Sequence, residues 1–168
     1  MTRLILTVLV LTGVLTGPAV AETRYLAFDA SDRITQALTR GVTVEVERGL
    51  FGAMRARRII STSARGSAEV RRGGPDAVRR LLPEGSGETA VYEIAPEGDG
   101  RGLSRALCPG SQEAWLVLGR VRAARPLVMH AVGRWSDGQM RHCVRLAYDY
   151  RGEWAMPPAP TAVAPATP

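Results

Sequence analysis

The chain contains no lysine and no asparagine, only two cysteines, two histidines and two phenylalanines, and aromatic residues make up 5% of it. Without lysine there is no Schiff base, no pyridoxal attachment and no lysine general base. All 22 basic residues are therefore arginine. Arginine, alanine, glycine and proline codons are GC-rich, and lysine and asparagine codons are AT-rich, so a GC-rich bacterial genome accounts for the bias. Few aromatics are interleaved among the arginines. That argues against a nucleic-acid surface, which needs rings for bases to stack on. No G-x-S-x-G elbow is present, because "PGSQE" around Ser111 lacks the second glycine. "EGDGRG" at 97–102 has neither the lysine of a phosphate-binding P-loop nor the carboxylate run of an EF-hand, and it reads as a flexible loop.

What is present begins with the N-terminus. Arg3 precedes an apolar run from Leu4 to Val14, and Ala19-Val20-Ala21 supplies the small-residue pattern cut by signal peptidase before Glu22. The run is interrupted by glycine, proline and threonine, which makes it marginal for the roughly 20 apolar residues of a spanning helix. Residues 1–21 are expected to be a cleaved Sec-type signal peptide. With no cysteine near position 21, a lipoprotein is not expected. The protein is expected to be periplasmic or extracellular, with no transmembrane span after cleavage. Residues 155–168 are rich in proline and alanine and carry no charge, so they read as a disordered tail. Residues 22–154 form the expected single domain, long enough for its own core.

Cys108 and Cys143 are 35 positions apart, and an even count in an exported chain reads as one disulfide. Strand patterns dominate the domain. Val42, Val44 and Val46 alternate with Thr43, Glu45 and Glu47, the period of a half-buried strand. A turn at "GLFG" (49–52) leads to a second strand, with Arg55 and Arg57 on one face and Arg58 on the other beside Met54 and Ala56. Short helices are expected at 31–40, with Ile34, Ala37 and Leu38 on one face, and around "PDAVRRLL" at 75–82. Residues 114–121 are apolar on both faces and read as a central strand. The expected fold is mainly β, with α+β possible. It is an antiparallel sheet or sandwich with a C-terminal three-stranded meander and one or two short helices.

Both histidines fall in "HAVGRWSDGQMRHC", residues 130–143. With Asp137-Gly138 as a two-residue turn, Gly133 faces His142 and Val132 faces Cys143. A three-residue loop, which sets Trp135 opposite Gln139, slips the register by one and scrambles the apolar set. The two-residue register sends His142 to the apolar face and His130 to the other with Cys143. The histidines then cannot hold one metal, and no metal or cofactor is expected. His130 keeps the remaining claim on chemistry.

The charge distribution carries the functional expectation. Residues 40–80 hold ten arginines and four acids, whereas the rest of the chain after residue 21 is close to neutral. Arg55, Arg57, Arg58, Arg71 and Arg72 are the candidate anion-binding residues. The expected protein is a non-catalytic binding or structural envelope module whose partner is an anionic envelope polymer or another envelope protein. The alternatives are a small exported enzyme using His130 or His142, or an inhibitor of an exported enzyme.

Overall fold

The computed structural model describes residues 22–49, 52–63 and 66–155. The expected signal peptide, Leu50 and Phe51 of the "GLFG" turn, and the tail from residue 156 onward lie outside the described residues. Eight strands follow one another around a closed antiparallel barrel. They are β1 (Glu22–Ala30), β2 (Gly41–Arg48), β3 (Met54–Ser61), β4 (Ser67–Arg72), β5 (Ala90–Ile94), β6 (Glu113–Leu118), β7 (Leu127–Arg134) and β8 (Met140–Ala155). The 16-residue β8 closes the wall, pairing with β7 through Met140–Tyr148 and with β1 through Tyr148–Ala155. The expected sandwich and separate meander thus give way to one continuous cylinder. Alternating strand patterns specify a one-sided apolar face without saying whether the sheet folds over another or closes on itself.

An eight-stranded barrel is just wide enough for side chains to fill or for one small ligand to enter. Here side chains fill it. Leu26, Phe28, Ile59, Leu116, Leu118, Leu127, Met129, Leu146 and Tyr148 point inward and are at most 1% exposed. Outward positions of β2–β4 carry Glu45, Glu47, Arg55, Arg57, Arg58, Glu69 and Arg71. That is the reverse of the apolar outer band of a membrane-spanning barrel. No helix among the described residues is long and apolar enough to cross a membrane.

Three short helices, one more than the upper expectation, occupy connections between strands. Helix α1 (Arg33–Leu38) starts at Asp32, whose carboxylate accepts from the Thr35 backbone N–H at 2.8 Å. Its buried side is the expected apolar one only at Leu38, which packs on the core; Ile34 is 59% exposed, Ala37 is exposed and Thr35 is buried. Thr35 Oγ1 accepts from the Ala147 backbone N–H at 3.0 Å, and Thr39 Oγ1 meets the buried Tyr148 hydroxyl at 3.0 Å. The helix closes a barrel end where backbone donors need partners, so hydroxyls go inside. Helix α3 (Gly100–Leu107) overturns the flexible-loop reading at 100–102, leaving 97–99 as the turn that leads into it: Leu103 and Leu107 are buried, while Arg101 and Arg105 are exposed. The glycines that hide this helix in the sequence have a use. Gly100 lies so close to the Ala95 carbonyl that a Cβ there would collide with it.

Helix α2 (Ala77–Arg80) belongs to a strap, residues 73–89, folded onto the outside of the wall. As the sequence spacing suggests, Val78 is buried with Leu81 and Leu82 beside it, and they pack on Trp115, Val117, Val132 and Met140. This cover explains why β6 is apolar on both faces.

Candidate functional site

The 130–143 hairpin departs from its expected geometry in two places that compensate each other. Its loop has three residues, Ser136 to Gly138: the Trp135 N–H donates to the Gln139 carbonyl at 3.0 Å, and Gly138 takes φ +77°. A turn ending in a left-handed glycine is the common three-residue solution. The slip it imposes sets Val132 opposite His142 and Gly133 opposite Arg141, but one residue of β8 is then bulged out. Beyond Cys143 the strands return to the expected pairing, with Ala131 opposite Val144 and His130 opposite Arg145. A β-bulge inserts one unpaired residue and re-aims its neighbours.

The slip reverses the expected separation of the histidines. His142 joins His130 on the outer face, and His130 Nδ1 lies 3.0 Å from His142 Nε2. Cys143 turns to the interior and bonds to Cys108, which follows α3 and is fully buried, with a Cα–Cα distance of 5.3 Å. His130 is 1% exposed, and its Nε2 lies 3.3 Å from Glu88 Oε2 without hydrogen-bond alignment. Glu88 is thus the residue that sequence reasoning missed. It sits on the strap, 42 positions before His130, and no local pattern joins them. Carboxylate attraction favours a proton on His130 Nε2, so Nδ1 accepts from His142 Nε2–H, leaving His142 Nδ1 as the acceptor at the outer end.

Both rings are held below their ordinary pKa of 6.5. For His130, burial outweighs the opposing pull of Glu88, and Arg145 lowers it further. For His142, burial acts first and His130 second. A depressed base binds fewer protons folded than unfolded, so its contribution to stability is complete above pH 6.5 and is lost as pH falls through the folded-state values. Melting temperatures measured from about pH 7.5 down to 5 should therefore decline, and His142→Phe should flatten that decline. An unchanged slope in the variant would count against the pair.

The cluster offers little else chemically. Cys143 is held in the disulfide, and Asp137 in the turn is bound to Arg141. Among the described residues, no group of three His, Cys, Asp or Glu converges on a metal position.

The candidate arginines are brought together differently. A second bulge, at Arg57, pairs Glu45 with Arg58 and Val46 with Ala56, so Arg58 faces outward with Arg55 rather than inward with Ala56. Acids from neighbouring strands meet several of the guanidinium groups: Arg57–Glu47 at 2.9 Å, Arg58–Glu69 at 3.2 Å, Arg58–Glu45 at 3.9 Å and Arg71–Glu97 at 3.2 Å. The Glu97 carboxyl is held below its usual range, first by its own backbone N–H and then by Arg71. Arg55 and Arg72 are exposed and have no ion pair among the described residues. The five candidates thus divide into a paired lattice on the wall and two unneutralised cations.

No family model matches the chain, and no curated protein or solved structure matches it significantly.

Proposed function

We propose that the protein is an exported, non-catalytic binding module of the bacterial envelope that acts through its outer surface. The observation that carries this reading is the division of labour in the barrel. The interior is occupied by apolar side chains, and exposed arginine stands in excess of acid on the outside. The disulfide supports an oxidising, exported environment.

Guanidinium groups are always charged and present a planar donor fork suited to carboxylate and phosphate oxygens. Those already paired on the wall have less to offer a partner than those left free. The protein should be retained on anionic envelope fractions at low salt and released at high salt, as expected for screened contacts. Arg55→Ala with Arg72→Ala should weaken retention more than Arg57→Ala with Arg58→Ala. Retention indifferent to salt, or equal loss in both variants, would overturn this reading.

A further inference from the structure

We infer that the end of the barrel bearing the β2–β3, β4–β5 and β6–β7 connections is a docking surface for an anionic, phosphate-bearing lipid bilayer. The inference rests on the binding reading above and names its partner. In an up-and-down barrel, alternate connections lie at the same end, which here also receives the start of β1 and the end of β8. Arg48 and Arg55 flank the first connection, Arg72 ends β4, and Arg120, Arg122 and Arg125 lie in the third. All six are exposed, and none has an ion pair among the described residues. The last three fall outside the basic stretch at 40–80, and the alternating direction of the strands brings them to the same end.

Most acids near this end are engaged elsewhere, although Glu84 in the β4–β5 connection is exposed and has no ion pair among the described residues, and Asp76 in that connection pairs with Arg79. Arg24 holds both Glu22 and Glu153, Arg57 holds Glu47, and Glu88 faces His130. Trp154, paired with Tyr25 where β1 begins, is 51% exposed. The opposite end is mixed in charge, with Asp32, Glu97, Asp99 and Asp137 among Arg33, Arg40, Arg101, Arg105 and Arg141.

The distribution favours a plane over a chain or a single small anion. The cations come from separate connections spread over the sector from β2 to β7, so they surround a rim and do not line one groove. A bilayer presents many phosphates at once, and guanidinium groups can chelate them bidentately. An exposed indole at the same end suits the headgroup layer, where an apolar ring with one polar edge is best accommodated.

The test is co-sedimentation of the untagged exported protein with vesicles of phosphatidylglycerol and phosphatidylcholine, against vesicles of phosphatidylcholine alone. Untagged protein is needed because both ends of the described chain lie at the docking end. Binding to the anionic vesicles should fall with salt. Arg120→Ala, Arg122→Ala and Arg125→Ala combined should weaken it on the order of a hundred-fold, from about five-fold for each arginine. Removing Arg33, Arg101 and Arg105, an equal loss of charge at the other end, should leave it nearly unchanged. On binding, tryptophan emission should shift to shorter wavelength, and Trp154→Phe should abolish the shift. Equal weakening by the two triple variants would overturn the inference by reducing it to net charge. Binding of soluble polyphosphate but not of anionic vesicles would overturn the lipid partner and leave the binding reading standing. Binding of neither probe, with envelope fractions also ignored, would overturn both.

Discussion

Cys108→Ala with Cys143→Ala is expected to cost about 3 to 4 kcal/mol of stability, from the chain entropy released when a loop of this length is opened. In a domain of this size that lowers the melting temperature by roughly 10–15 °C. The bridge ties the end of α3 to the bulge in β8, so it joins a helix inserted at the barrel end to the wall itself. Thermal unfolding of the oxidised, reduced and double-alanine proteins measures the effect. A shift of a degree or two would mean that packing of Leu103 and Leu107 already holds α3 in place. The pH dependence of stability should survive the loss, because the three-residue loop, and not the bridge, sets His142 beside His130.

Leu116→Ala is the second large effect. Leu116 is fully buried at the centre of the barrel, opposite Ala131 on β7 and Tyr92 on β5. Truncation leaves a cavity between strands that cannot move together without breaking the cylinder, so the loss should lie around 2–5 kcal/mol. Retention on anionic surfaces, assayed well below the lowered melting temperature, should be unaffected. If the variant kept its stability but lost or gained a ligand, the lumen and not the outer surface would be the binding site.

What could be read from the sequence depended on whether the signal was local. Val42, Val44 and Val46 do point inward, Glu45 and Glu47 do point outward, and the disulfide was recoverable from cysteine count and compartment. The strap helix was legible too, because Val78, Leu81 and Leu82 repeat at helical spacing. Features that depend on one inserted residue were not legible. Nothing in "RWSDGQMRHCV" distinguishes a two-residue turn from a three-residue loop followed by a bulge, yet that choice exchanges the sides of the wall on which His142 and Cys143 lie. The same holds for Arg58, re-aimed by the bulge at Arg57. Both register errors fell on candidate site residues, consistent with the tendency of bulges to occur where a side chain must be redirected. The Glu88 contact and the six-arginine rim were beyond local reading for a different reason. Each joins segments that become neighbours only through the fold.

Closure of the wall also limits how any partner can recognise the protein. Every strand from β1 to β8 has a hydrogen-bonded neighbour on both sides, so the barrel has no edge strand among the described residues. The least paired stretch of the wall is Met54–Arg57, where β3 runs past the end of its pairing with β4. The barrel therefore lacks the open sheet border on which a peptide adds as a further strand or copies stack into fibrils. Recognition is left to side chains at the rims and on the outer wall. There, exchanging one arginine alters the contact without disturbing the backbone ladder, so affinity can be tuned residue by residue while the cylinder stays the same.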